Sequence, residues 1–288
     1  MTRGGDIAPG EQFEFGKNWQ RFLRLLDEAR IVAAEDSLRQ ILGNQTMAGK
    51  SFLDIGSGSG LFSLDARGLG ARVHSIDSDL QSVACNVALR STYFPADPGW
   101  AVERGSVLDP SYLGGLGTFD IVYAWGVLHH TGSMREALGS VVPLAGRAGR
   151  IFASIYNNQG AASRRWSALK RLYKRRPWLR GLLATYTLMR QWSLTFLRDT
   201  LQGRPLVSWR NYASRRGMHP WHDVVDWIGG YPFEVAKPEQ VIEFFYARGF
   251  ELAGLKTCGG GLGCKEYLFV QTGTGRLFGA SAPDSGRQ

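Results

Sequence analysis

From Phe52 onward the chain alternates short apolar runs with stretches in which apolar positions recur every three or four residues. Runs of the first kind have the length of buried strands, and those of the second kind have the period of amphipathic helices. The pattern predicts strand 52–56, helix 60–69, strand 72–77, helix 79–90, a strand at about 100–104, strand 119–124, helix 133–142 and strand 149–155. Strands alternating with helices make an α/β fold with a doubly wound parallel sheet, whose ligands lie beyond the carboxyl ends of the strands. After a long interruption, a helix from Pro238 to Arg248 is stopped by Gly249 and followed by strands Phe250 to Thr257 and Lys265 to Gln271. Seven strands are therefore expected.

The flanks carry less information. Residues 1–10 and those beyond Thr274 read as disordered, while Leu23, Leu26, Ala29, Val32 and Ala33 sit at helical spacing. That spacing predicts a helix covering the sheet, in a cap segment spanning 1–45 ahead of one domain at 46–271 and a tail at 272–288.

The interruption at 158–237 changes the picture through its charge. Net charge is +9, yet the span Gly160 to Gly217 holds fourteen Lys or Arg and one acid, Asp199, so it contributes +13 and the remainder is about −4. Arg164, Arg165, Lys170, Arg171, Lys174, Arg175, Arg176 and Arg180 interleave with Trp166, Leu169, Leu172, Tyr173, Trp178, Leu179, Leu182 and Leu183. Near-helical spacing predicts two or three helices with a cationic outer face and an aromatic inner face, placed as a lid beside the strand ends. A solvated face is one reading of such a run. The scarcity of acids favours an anionic counterpart instead, such as a lipid head group, a diphosphate carrier, a charged metabolite or a nucleic acid.

Between Arg216 and Glu234 two histidines, three acids and four large aromatics are punctuated by glycine and proline, which reads as a rigid site-lining loop. Trp221, Asp223 and Tyr231 of this loop, with Arg171 and Arg175 and with Trp19 of the cap segment, are candidate acceptor contacts, and His222 is a candidate base.

No apolar run of about 18 residues is present, the nearest being Gly181 to Leu197, interrupted by Arg190. The opening Met1-Thr2-Arg3-Gly4-Gly5 lacks the apolar segment of a secretion signal, so cytoplasm is expected, with the basic helices able to reach a membrane surface. Three cysteines, Cys85, Cys258 and Cys264, are too few for a disulfide framework or a zinc site, and no metal is expected.

The candidate chemistry starts at Asp54-Ile55-Gly56-Ser57-Gly58-Ser59-Gly60, which ends the first strand and opens a helix. Gly56 and Gly58 can take positive φ and let a ligand approach the main chain near the helix's free N–H groups. A dinucleotide site has G-x-G-x-x-G, but here the spacing is G-x-G-x-G and Leu61 stands at the discriminating position. Asp54 disfavours a pyrophosphate and suits a cationic amino-acid group. Asp77, closing the next strand, can accept both hydroxyls of a ribose. An amine, a ribose and no phosphate describe S-adenosylmethionine.

The D-I-G-S-G-S-G run, Asp77-Ser78-Asp79, and Phe119 to His130 resemble the ordered motifs of class I S-adenosylmethionine-dependent methyltransferases, over residues 50–156 and again near 238–271. The resemblance implies a Rossmann-like, mostly parallel sheet whose last two strands form an antiparallel edge hairpin. It implies cofactor contacts at Asp54, Gly56, Ser57, Gly58, Asp77, Ser78, Ser106, Val107 and Trp125, although Ser106 stands where the family often has an acid facing the adenine. It also implies an N-terminal roof to which Phe15 or Trp19 could belong.

Methyl transfer from a sulfonium needs positioning, and a base where the nucleophile is a hydroxyl. His129 or His130, just after the fourth strand, could be that base, with His222 next, or one of them could pack beneath the cofactor. The expected acceptor is a small or lipid-linked, anionic molecule methylated on oxygen. An RNA acceptor and a silent cofactor-binding module are the alternatives, although the flipped-base motif is absent after the fourth strand, where Ala124-Trp125-Gly126-Val127 stands.

Overall fold

A computed structural model describes Trp19, Leu23 and residues 26–42, 46–212, 220–259, 261 and 263–273. Phe15, His219 and the tail from residue 274 lie outside the described residues.

Seven strands form one sheet: β1 (Ser51–Ile55), β2 (Arg72–Asp77), β3 (Trp100–Arg104), β4 (Phe119–Ala124), β5 (Ala145–Tyr156), β6 (Phe250–Lys256) and β7 (Cys264–Gln271). Their order is β3-β2-β1-β4-β5-β7-β6, with β1 to β5 parallel and β7 antiparallel to both neighbours. The helices are α1 (Glu28–Leu42), α2 (Leu61–Gly68), α3 (Leu80–Tyr93), α4 (Pro110–Gly114), α5 (Met134–Val141), α6 (Ala161–Arg175), α7 (Arg180–Leu201), α8 (Val207–Arg210), α9 (Pro220–Gly229) and α10 (Pro238–Tyr246).

The continuous apolar character of the strands follows from burial on both faces. Phe52, Ile121, Tyr123 and Phe152 join Leu38 and Leu42 of α1, Leu64 of α2 and Leu89 of α3 in one core. Their chain neighbours Leu53, Val122, Ile151 and Ala153 point the other way, onto Leu138 and Val141 of α5 and Phe244 and Phe245 of α10. Helix starts are set locally. Asp79 accepts from Gln81 N at 3.0 Å to open α3, and Asp109 accepts from Tyr112 N at 3.0 Å to open α4.

Three expectations need correction. The fifth strand begins at Ala145, not 149, because Gly146 to Gly149 bulge out and the pairing jumps from Phe119↔Ala145 to Ile121↔Arg150. A Cβ on Gly149 would fall 2.6 Å from the Gly146 carbonyl oxygen, so the bulge needs glycine there. The polar-aromatic segment 216–234 is not a loop throughout, since Pro220–Gly229 is helical. Proline suits a first helical turn, and Val224 and Ile228, four apart, are both fully buried.

The third correction concerns the faces of the insertion. Its core is Trp166 and Tyr173 of α6, Leu183 and Ala184 of α7, Ile228 of α9, and Phe233 and Val235. Lys170, expected among the outer cations, is fully buried, whereas Leu172, Trp178 and Leu182, expected inside, are exposed. The insertion leaves and rejoins the sheet at one place: Ala236 N donates to the Tyr156 carbonyl and Asn158 N to the Ala236 carbonyl, both at 3.1 Å.

Candidate active site

The turn between β1 and α2 is built by three glycines at positive φ, Gly56 (66°), Gly58 (55°) and Gly60 (85°). Gly56 N and Ser57 N donate to the Ile76 carbonyl at 2.8 and 3.1 Å, which ties the turn to the end of β2. Asp77, where β2 ends, accepts from Gly58 N at 3.0 Å and from Asp79 N at 2.9 Å. The parallel register of β1 and β2 thus brings the glycine turn and this carboxylate together. Burial raises the Asp77 carboxyl above its usual range, against those backbone donors.

Two neighbours press on the turn. A Cβ at Gly56 would lie 2.4 Å from Val127 Cγ2, and one at Gly58 would lie 3.0 Å from the Trp19 indole. Trp19 therefore sits directly on the turn. Asn86 of α3 donates from Nδ2 to the Gly58 carbonyl at 3.1 Å. Val127 and Asn86 are part of this framework that sequence reasoning missed; Val127 lies within the quoted fourth-strand motif, whereas Asn86 carries no local signal. Ser57 Oγ is buried and has no hydrogen-bond partner among the described residues, which leaves it able to meet a polar ligand group or a water.

Beneath the turn runs a buried polar chain. Trp100 Nε1 donates to Ser75 Oγ at 2.8 Å, Ser75 and Ser63 hydroxyls are 2.6 Å apart, and Ser63 donates to Asp54 Oδ2 at 2.6 Å. With the Ser63 proton on Asp54, Ser75 must donate to Ser63, so the chain runs one way into the carboxylate. Asp54 is 3 % exposed, and burial pushes its carboxyl up to about 7. It enters the site through this network and not as an open carboxylate. Asp65 on α2 is also buried, has no hydrogen bond to either oxygen among the described residues, and is pushed up to about 8 by burial and by Glu35 and Asp54.

The remaining cofactor candidates line the same edge of the sheet. Ser78 is exposed and its carbonyl accepts from Arg104 Nε at 3.3 Å; Ser106 Oγ accepts from Leu108 N at 3.2 Å. Val107 is buried in the α5-side core. Trp125 is exposed at the end of β4 and donates from Nε1 to Glu266 Oε1 at 3.3 Å.

His129 and His130 lie where the insertion meets the sheet. His129 Nδ1 is 3.0 Å from the Ser154 carbonyl and His130 Nδ1 is 2.6 Å from the Pro232 carbonyl. A carbonyl only accepts, so each Nδ1 carries the proton and Nε2 is the acceptor nitrogen of the neutral ring. Burial drives both below the usual histidine range, His130 to about 4. Tyr156 packs against both imidazoles at 4.3 and 5.6 Å and against Trp227 and Phe233. Lys170 Nζ donates to the Trp227 carbonyl and lies over the Trp227 and Phe233 rings at 4.1 and 4.8 Å; burial lowers it to about 7. Glu234 closes the joint by accepting from Met134 N at 2.9 Å, with burial raising it to about 7.

The expected acceptor contacts are dispersed. Trp221 packs against the core of the insertion, Asp223 accepts from the Tyr212 hydroxyl, and Tyr231 is half-buried ahead of Pro232. Arg171 and Arg175 are exposed on the outside of α6, away from the Trp166–Lys170–Tyr173 side. His222 belongs to α9, and its side chain lies outside what the structure describes.

A family model described as a methyltransferase domain matches residues 26–217. Magnesium protoporphyrin IX methyltransferase from Synechocystis PCC 6803, solved with bound SAH, superposes with a TM-score of 0.52 at 14% identity, over 89% of this chain and 95% of that one. PKMT2 from Rickettsia typhi, solved with AdoHcy, gives 0.51 at 15% identity, over 77% of this chain and 50% of that one. At these identities the likeness is one of fold. No curated protein matches the chain by sequence.

Proposed function

Because the chain belongs to the class I S-adenosylmethionine-dependent methyltransferases, we propose that the crevice beside Gly56 to Gly60 holds the donor and that the acceptor is a small or lipid-linked anionic molecule methylated on oxygen. When bound, S-adenosylmethionine supplies an electrophilic sulfonium methyl. The observation that carries the placement is the pairing of the glycine turn with Asp77 at adjacent strand ends, joined by the 3.0 Å bond from Gly58 N.

Each residue then has a task. Asp77 keeps lone pairs beyond its two backbone bonds and accepts the ribose hydroxyls, while the unpartnered Ser57 hydroxyl takes a polar group of the donor. Asp54 fixes the underside of the turn by accepting from Ser63, and Trp19 and Trp125 border the crevice. Ser78 and Ser106 form the rim expected to meet the adenine, with Val107 in the core beside Ser106. His130 presents Nε2 as a neutral acceptor for the acceptor's hydroxyl proton, but a ring with so low a proton affinity is a weak base. Most of the acceleration therefore comes from holding the two reactants in line in a dry site.

We read the basic insertion as a lid whose field draws an anionic acceptor inward; its exposed Arg171 and Arg175 act on approach and not as contacts. Asp77→Ala is expected to weaken S-adenosylhomocysteine binding by about 1–3 kcal/mol in calorimetry, the range for charge-assisted hydrogen bonds. Unchanged affinity would remove the ribose assignment. Nitrogen chemical shifts of the His130 ring should report the neutral form down to about pH 4, and a titration near the ordinary histidine range would show an open, ordinary imidazole.

A further inference from the structure

The apolar residues that the insertion leaves uncovered are concentrated on one helix. Leu182, Met189, Leu194, Leu197 and Leu201 of α7 are 67%, 48%, 79%, 56% and 79% exposed, and Trp178, in the turn before α7, is 76% exposed. Scattered exposed leucines are ordinary on any protein, but a row of them along one helix marks a contact surface. Arg190 and Arg198 are exposed on the same helix, and Arg171 and Arg175 of α6 and Arg176, which follows it, are exposed as well.

The charge selects the occupant. A second copy would bring a surface from the same +13 segment against this one, which disfavours self-association. A nucleic acid would use the arginines and leave the leucines bare. An anionic lipid surface satisfies both, because acyl chains take the apolar row while head groups meet the guanidinium groups. Twenty-two residues make α7 about 33 Å long, and no described helix is long and apolar enough to cross a membrane. The geometry is that of a helix lying in the interface.

We infer that α7, with Trp178 at its leading end, docks the protein on the surface of an anionic bilayer. Docking does not depend on turnover or on where the donor binds, so it stands or falls separately from the proposed reaction. The test is flotation with vesicles of phosphatidylcholine alone and of phosphatidylcholine mixed with phosphatidylglycerol. The full chain should float with the mixed vesicles, and added salt should weaken the association. Leu194→Glu/Leu197→Glu/Leu201→Glu, on the exposed side, should lower partitioning more than about tenfold, with S-adenosylhomocysteine affinity as the folding control. On the unaltered chain, lipids brominated in their acyl chains should quench part of the tryptophan fluorescence, and Trp178→Phe should remove that part. No flotation of the native chain, or flotation untouched by the leucine substitutions and lost only with Arg190→Gln/Arg198→Gln, would overturn the inference. A native dimer that the leucine substitutions dissociate would do the same by naming a second copy as the occupant.

Discussion

At Gly56 a single added methyl group decides whether the turn after β1 can form. Its position 2.4 Å from Val127 Cγ2, at φ 66°, combines a steric overlap with a backbone conformation that disfavours a side chain. Gly56→Ala is expected to cost about 1–3 kcal/mol in chemical denaturation, and Val127→Ala in the same chain should return the steric part only. Asp65 poses the opposite case, a buried carboxyl that has no hydrogen-bond partner among the described residues. Unfolded, it loses its proton near 3.8, whereas folded it keeps it to about 8. Between those values the folded state binds more protons, so stability falls as pH rises from about 4 to about 8 and is level above. Asp65→Asn removes that slope, so its melting temperature should gain on the native chain across this window. Glu234 titrates in the same range in both chains and cancels, so the difference between the two melting curves reports Asp65 together with its coupling to Asp54 and Glu35.

Among the elements, α6 carries the least expected feature. Its inward positions Ser163, Trp166, Lys170 and Tyr173 follow helical spacing, and a lysine stands where an apolar residue would. From sequence, Lys170 reads as one more cation in a basic run, because nothing local tells which turn of the run faces Trp227. Its amine titrates near 7 when folded and 10.5 when unfolded, so the unfolded state holds more protons between those values and stability rises with pH there. Lys170→Met should accordingly be most favoured over the native chain at pH 7 and below, the gap narrowing toward pH 10.5 in urea titrations. The turn after β1 was readable for the opposite reason: strand, glycines and helix start lie within ten residues, so their spacing is local. The helix at Pro220–Gly229 was not, since its flanking glycines and prolines look like loop punctuation until Val224 and Ile228 find their core.

Across the whole molecule the sheet separates two jobs. The β1–β2 side carries the glycine turn and Asp77, and the β4–β5 side carries the histidines and the base of the insertion. The antiparallel hairpin of the last two strands was implied by the family resemblance, and Asp77 was placed at a strand end by the apolar run before it, whereas the order of the strands was not read from the sequence. The buried chain from Trp100 to Asp54 was invisible because its members lie on four different elements and meet only through tertiary packing. The exposed row on α7 was hidden by the same periodicity that predicted the helix, since spacing gives a face but not the side on which the rest of the protein lies.

The bond between Tyr156 and Ala236 makes the stretch between them a pendant. About eighty residues hang from two neighbouring positions, and closing that gap with a short turn would leave all seven strands threaded as they are. A different pendant could therefore be grafted at the same two positions without rethreading the sheet or rebuilding the glycine turn between β1 and α2.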